Sequence, residues 1–384
     1  MGARVWTSRE RVSAALEHRE PDRVPVNFNP LLDSYLSLKS YLRLEIQEEL
    51  KPDHFMEVFP HPRVLEALGA DLISVRLGAP LGRHLSNTGD RVEDEWGLVR
   101  QRFYQPGGGS YLEVVHHPLA DATLEDLDKY PWPDPYAPGR GEGAESAARR
   151  LYEDTDLAII GRFGGPINEL AMYLVGMENW FFRLKLDPEF AGMLLDKITD
   201  IQIAMDRLGL EATAMYLQIL KVSGEDLGMQ TGPMYSPSVF GLMLPRLQRR
   251  WKAARDYLDT VNPSVKIMLH SCGSIKMYIP ALIQGGIQVL DPVQPLAAHM
   301  DSGELKREFG GRLSFHGGVD IQHVLPFGTP EDIEAEVCQR IRDFAPGGGY
   351  ILAPSHYVQA DVPPANLVAM CRAAHQYGQY PISC

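Results

Sequence analysis

Short apolar runs recur along the chain with the spacing of strands that alternate with helices. Val24-Pro25-Val26-Asn27-Phe28, Leu72-Ile73-Ser74-Val75, Leu157 to Gly161, Leu217 to Val222, Val265 to Leu269, Ile287 to Leu290, Leu313-Ser314-Phe315 and Tyr350 to Ala353 each read as a strand. Helical patterns separate most of them, as where Val64-Leu65-Glu66-Ala67-Leu68 closes on Gly69 before the second run. Strands joined through helices pair in parallel by right-handed crossovers, and eight such units predict an α/β fold of the closed (β/α)8 TIM-barrel type. An N-terminal helical extension is expected from Ser8, with an imperfect capping-box spacing to Arg11, running to about His18.

The rhythm breaks between about residues 90 and 117. Glu95-Trp96-Gly97-Leu98-Val99 and Tyr111 to Val115, bridged by Gly107-Gly108-Gly109, predict a β-hairpin inserted into a barrel loop. Tyr130-Pro131-Trp132-Pro133-Asp134-Pro135-Tyr136 reads as a rigid surface connection. Nothing divides the chain, so residues 1–384 are expected to form one domain.

In such a barrel the C-terminal ends of the strands share one mouth, however distant they are in sequence. The ends carry a high density of ligand-type and acid/base groups. Asn27 and Asn29 end the first strand, Arg76 the second and Arg162 the third; Glu225 and Asp226, then Gln230, follow the fourth. Asp291 and Gln294 follow the sixth, His316 and Asp320 the seventh, and His356 the eighth. The fifth ends in His270-Ser271-Cys272-Gly273. Residues i and i+2 of a strand face the same side, so the imidazole and the thiol could grip one small object, for which zinc, with its taste for mixed nitrogen and sulfur ligands, is the obvious candidate. A buried thiol beside a hydrogen-bonded histidine is the alternative.

Glu225 and Asp226 are candidates for proton transfer or for orienting a ligand histidine, against a helix N-cap as the plainer role. Asn29, Arg76, Arg162, Gln230, Asp291, Gln294, His316 and Asp320 are candidates for binding substrate, with core polar bonding an alternative for Gln294. His54, His61, His84, His299, His323 and His375 read as surface residues. Gly161-Arg162-Phe163-Gly164-Gly165 lacks the Lys-Ser/Thr ending of a phosphate loop.

Composition narrows the function further. A 45% hydrophobic and 23% charged chain is that of a globular protein with a sizeable core, and a net charge of −13 repels phosphate backbones. The one dense basic cluster, Arg246, Arg249, Arg250 and Lys252, has helical spacing and reads as a solvated face, so nucleic acid is rejected as a partner. Four scattered cysteines suit a reducing compartment; with no apolar run of membrane-spanning length and no secretory signal, a cytoplasmic enzyme is expected. Cys338 and Cys371 fall in helical patterns and read as inert.

Several stretches together carry a family likeness: Thr7-Ser8-Arg9-Glu10-Arg11-Val12, Pro21-Asp22-Arg23-Val24-Pro25, His270-Ser271-Cys272-Gly273, Phe315-His316-Gly317-Gly318-Val319-Asp320 and Gly347 to Pro354. On these the chain resembles the uroporphyrinogen decarboxylase superfamily over nearly its whole length. Its His-x-Cys-Gly element resembles the cobamide-linked methyltransferase branch, in which a His-x-Cys motif and a later Cys hold zinc. The resemblance assigns His270 and Cys272 to the first two ligand positions. At the third, where thiol-methylating members carry Cys, this chain reads Ala353-Pro354-Ser355-His356. His356 is the expected third ligand, with His316 its rival, and it also matches a histidine of the true decarboxylases. Decarboxylases of the family carry arginines just after the first strand to hold their substrate's carboxylates; residues 27–33 contain none, which argues against uroporphyrinogen itself.

The resemblance implies a zinc-dependent methyltransferase whose methyl group passes to or from a cobamide carried by a corrinoid protein, with a small-molecule methyl donor or acceptor. It also implies a possible homodimer. One thiolate ligand in place of two leaves more positive charge on the metal, which favours an oxygen substrate such as a methyl ether. A cofactor-free decarboxylase using Asp226 or His356 is the alternative, and a non-catalytic small-molecule or corrinoid-protein binding barrel a second.

Overall fold

The structure, a computed structural model, describes residues 6–50, 56–80, 89–104 and 109–384. Ten strands are present among them: β1 (Leu72–Arg76), β2 (Arg91–Glu93), β3 (Val99–Tyr104), β4 (Ser110–His116), β5 (Ala158–Arg162), β6 (Ile219–Val222), β7 (Lys266–His270), β8 (Val289–Val293), β9 (Ser314–Val319) and β10 (Tyr350–Pro354). Seven of these form one parallel sheet in the order β1-β5-β6-β7-β8-β9-β10. Sequence neighbours therefore lie side by side, as helical crossovers require.

The two edges of this sheet meet on a single extended segment. Asn27 donates its backbone N–H to Leu352 O (2.9 Å), Leu352 donates to Pro25 O (2.9 Å), and Asp71 donates to Val26 O (2.8 Å). Residues 24–28 thus bridge β10 and the start of β1, giving the curled, TIM-barrel-like arrangement. The first expected strand takes part through single bridges rather than a full ladder, because Pro25 has no N–H to contribute.

Inside the curl, alternate residues change character along the strands. At the N-terminal ends Leu72, Ala158, Ile160, Ile219, Met268, Val289 and Ile351 form one apolar cluster with Val12 and Leu16 of the helix Ser8–Leu16. That helix plugs the lower opening. It is anchored by Asp71, whose carboxylate is fully buried and accepts from Ser8 Oγ (2.7 Å), Arg11 Nη1 (2.7 Å), Arg23 Nη1 (2.7 Å) and the Val26 amide (2.8 Å). The capping box lies one residue earlier than expected, between Thr7 and Glu10, since the Ser8 hydroxyl is committed to Asp71. The helix ends at Leu16, short of His18.

A larger core fills the space between the sheet and the surrounding helices, with Trp180, Trp251, Phe190, Phe315 and Phe344 among its largest buried side chains. Arg250 also lies there, paired with Asp206 (2.6 Å), so one of the four residues expected on a solvated basic face is buried. Arg246 and Arg249 pair with Asp196 and Asp200, and Lys252 with Asp256. Among the described residues no helix is long and apolar enough to cross a membrane.

The insertion is a three-stranded antiparallel sheet, β2-β3-β4, rather than a hairpin. Glu95-Trp96-Gly97 is the turn between β2 and β3, where Asp94 Oδ1 accepts the Trp96 and Leu98 amides (2.9 and 3.1 Å) and Gly97 adopts φ 76°. Gly107 and Gly108 lie outside the described residues. The sheet leans on the mouth side of the barrel: the Ser110 amide bonds Asp33 Oδ2 (3.2 Å). Trp132 of the Pro-rich run packs edge-on against Trp96 and Tyr130 beneath it.

Candidate metal centre

Along β7, Met268 faces the interior cluster, so by strand alternation His270 does too, one layer higher. Cys272 lies just beyond the strand end. From β10, Pro354 leads directly to Ser355 and His356. One ligand atom from each of His270, Cys272 and His356 lies within 4.8 Å of the others, and His270 Nε2 stands 3.5 Å from Cys272 Sγ. The His270 and His356 rings meet edge to face with centroids 5.7 Å apart.

The carboxylate that orients His270 is Asp291, from the neighbouring strand β8. His270 Nδ1 donates to Asp291 Oδ2 (2.7 Å), which leaves Nε2 as the nitrogen turned toward the thiol. Asp291 is itself clamped: Lys221 Nζ meets Oδ2 at 2.6 Å, and His316 Nδ1 meets Oδ1 at 2.6 Å. The Asn27 amide nitrogen lies 3.0 Å from His316 Nε2 and donates to it, so His316 carries its proton on Nδ1 and donates to Asp291. Burial opposes the charge of Asp291, but the Lys221 ammonium first, then His316 and His270, outweigh it and hold the carboxyl well below its ordinary range.

The other two candidate ligands are tuned by burial. His356 is lowered from 6.5 to about 4, by burial and then by the neighbouring His270, so its imidazole is neutral at pH 7. Burial, followed by the charges of Asp226 and Asp291, pushes the Cys272 thiol well above its ordinary value. A bare thiolate is disfavoured here, and a bound cation is the counterweight that would make one stable. Two imidazoles and a thiol converging at ligand spacing fit zinc in donor type and number for a centre with one open position.

The remaining expected site residues divide into those near this centre and those committed elsewhere. Asp226 accepts the Cys272 amide through Oδ1 (3.0 Å) and caps no helix. Gln294 accepts the Gly273 amide (2.6 Å), so it shapes the loop after β7. The Glu225 carboxylate is buried and accepts the amides of Ile167 (2.7 Å) and Asn168 (2.9 Å) at the start of the helix Asn168–Val175, and the residue meets His270 only through the backbone, its N–H donating to His270 O (3.1 Å). It is raised to about 7 by burial, against those two amides. Asp291 is no open substrate group but the support of His270, and both ring nitrogens of His316 are engaged, which removes it as the rival third ligand.

Arg162 meets Glu57 (2.6 Å) and the Tyr357 hydroxyl (3.2 Å), and Arg76 and Arg162 both lie against the Phe59 ring, at 4.8 and 5.4 Å. Gln230 is exposed and bonds Leu296 O (2.6 Å). Asp320 accepts the amides of Gln322, His323 and Val324, building the turn after β9. Asn29 binds Val358 through its backbone. The amides of Gly164 and Gly165 are taken by Asp206 and Gln202. His299 and His323 are exposed, whereas His61 caps the helix Pro62–Leu68 and His375 is half-buried on Gly69 O (3.0 Å); His54 and His84 lie outside the described residues.

Two participants were missed by sequence reasoning. Lys221 was signalled only by a charge inside an otherwise apolar strand. Glu169, one turn before Tyr173, accepts its hydroxyl (2.8 Å) and is raised to about 8 by burial and then by Asp226. Nothing in its local sequence marks it.

Comparison with known proteins gives a consistent frame. The profile of the Uroporphyrinogen decarboxylase (URO-D) family matches residues 105–377. The uroporphyrinogen decarboxylase of Alkalilimnicola ehrlichii is 25% identical over 378 residues, covering 96% of this chain and 93% of its own. That of Sodalis glossinidius is 27% identical over 287 residues, 72% of this chain and 73% of its own. Among solved structures, a methyltransferase from Methanosarcina mazei matches with a TM-score of 0.62 at 20% identity, across 97% of this chain and 99% of that one. At that identity the likeness is one of fold.

Proposed function

Since the chain belongs to the uroporphyrinogen decarboxylase family, we propose that it is a zinc-dependent methyltransferase of that family, passing a methyl group between a small molecule and a cobamide carried by a corrinoid protein. The observation that carries this reading is the convergence of His270, Cys272 and His356. Full-length fold likeness to a methyltransferase agrees with it.

In this reading the three side chains would hold zinc, which when bound supplies Lewis acidity to a thiolate or a departing oxygen at neutral pH. The protein's own work is preparation. Asp291 fixes the tautomer of His270, burial keeps His356 unprotonated, and Asp226 and Gln294 fix the backbone that carries Cys272. Exchange of a second thiolate for His356 leaves one anionic ligand, so the preferred substrate is a methyl ether rather than a thiol. The cobalt chemistry belongs to the partner.

Elemental analysis of the purified chain tests the metal: one zinc per chain is expected, lost in Cys272→Ala. Turnover of methyl ethers with a corrinoid protein, and not of thiol adducts alone, tests the substrate class.

A second reading is favoured by the curated relatives, which are uroporphyrinogen decarboxylases. A cofactor-free decarboxylase would use Asp226 or His356 and would keep full activity after chelation. Loss of all activity on chelation, restored by zinc, excludes it.

A further inference from the structure

Behind His270 lies a buried cluster whose charges cancel. Asp291 and Lys221 form a one-to-one ion pair, and the Nδ1 atoms of His270 and His316 both donate to the same carboxylate. The side chains of Lys221 and Asp291 are 5% and 4% exposed, so solvent does not screen them. Lys221 Nζ and His270 Nδ1 share one oxygen, Asp291 Oδ2, at 2.6 and 2.7 Å.

A carboxylate is not needed to balance a lysine at this layer for the sake of the core, because the layer immediately below, with Ile219 on the same strand as Lys221 and Val289 on that of Asp291, is entirely apolar. A buried ion pair is weak evidence for stability, because desolvation offsets much of its Coulomb attraction. The carboxylate faces two imidazoles, His316 through Oδ1 and the candidate ligand His270 through Oδ2, and the Lys221 ammonium sits on the oxygen that His270 uses.

We propose that Lys221 is a positioning residue that sets the charge presented by the metal centre: by neutralising Asp291, it lets the carboxylate orient His270 without lending its negative charge to the bound ion. The inference rests on the metal reading above and deepens it. With Asp291 cancelled, the ligand set itself carries one net positive charge, two from the ion less one from the Cys272 thiolate, while Asp226 lies outside that set on the Cys272 amide. The centre therefore keeps a net attraction for a monoanionic ligand, the charge type of an alkoxide or phenoxide.

The test uses the full chain loaded with cobalt(II), whose visible spectrum reports binding of azide as a monoanion probe, together with zinc affinity by chelator competition. Lys221→Met should weaken azide binding by about tenfold, the scale of one uncancelled charge at an effective dielectric constant near 20, without weakening zinc binding. Asp291→Asn should do the reverse, strengthening azide and weakening zinc. The double variant should return azide affinity to near the parent's, and Lys221→Arg should retain it.

A purely structural role predicts losses of one sign for every variant. Unchanged azide affinity in Lys221→Met, or single variants that shift it in the same direction, would overturn the proposal. Should Lys221→Met fail to fold, the sign of Asp291→Asn against the charge-neutral double variant decides the matter. If the parent chain takes up neither cobalt nor zinc, the metal centre itself is wrong and this inference falls with it, a failure distinct from that of Lys221.

Discussion

The same strands build two different interiors. At their N-terminal ends Leu72, Ile160, Ile219, Met268, Val289 and Ile351 close on Val12 and Leu16 of the plugging helix, and the cluster is wholly apolar. One layer up, on β6, β7, β8 and β9, stand Lys221, His270, Asp291 and His316, bonded to one another. On β6, β7 and β8 the two layers stand two residues apart on one strand, Ile219 and Lys221, Met268 and His270, Val289 and Asp291, so the change there is one of residue type. The lower layer gains free energy by excluding water; the upper one spends it on burying charge so that three ligand atoms come together.

If that division is right, substitutions at the two ends should separate stability from metal binding. The largest effect expected at the mouth is from Cys272→Ala, which removes the thiol from the candidate ligand set. Zinc affinity should fall by more than the roughly 10–100-fold typical of losing an outer partner, while the urea midpoint of the metal-free protein moves little. Retained stoichiometric zinc would contradict the assignment.

At the other end, Leu16→Ala should cost about 2–5 kcal/mol of stability by opening a cavity in the plug and leave zinc stoichiometry untouched. Equilibrium denaturation with parallel metal analysis reads both. Zinc loss at unchanged stability would show that the plug and the mouth are not independent.

A smaller effect follows from the imidazole of His356, lowered from 6.5 to about 4 by burial. Between these values the unfolded chain takes up a proton that the folded chain refuses. This contribution to stability is therefore complete above about pH 6.5 and is lost as pH falls toward 4. Metal-free protein should show a falling urea midpoint from pH 7 to pH 5, and His356→Asn should flatten the fall. An equal slope in the variant would place the titration elsewhere.

The smallest effect concerns the inserted sheet, which rests on the rim through the Ser110 amide and Asp33 Oδ2 (3.2 Å). Asp33→Ala should cost about 1 kcal/mol or less, the scale of one partly exposed hydrogen bond, and should spare zinc. A large loss of metal would make the insertion part of the centre.

Much of this contrast was legible in the chain. Apolar runs at barrel spacing predicted the parallel sheet, and an i, i+2 pair at a strand end predicted that His270 and Cys272 share a face. His356 was assigned as third ligand by family likeness alone, since it arrives from β10, three places along the sheet from β7. What stayed hidden was who partners whom. Glu225 and Asp226 are adjacent and chemically alike, yet only the fold brings the Ile167 and Asn168 amides to one and the Cys272 amide to the other. Asp291 and Gln294 looked like substrate or core groups because the residues they support arrive from β7. Lys221 was hidden by its apolar neighbours, and its partner comes from a strand two places along the sheet. The inserted hairpin failed at Trp96, whose alternation with its neighbours belongs to an Asp94-capped turn.

X-ray absorption at the zinc edge of the loaded chain is the most direct measurement of the ligand set. The account predicts one sulfur at about 2.3 Å with nitrogen or oxygen neighbours at about 2.0–2.1 Å, and loss of the sulfur shell in Cys272→Ala. A bound zinc with no sulfur neighbour, or none bound at all, would contradict it.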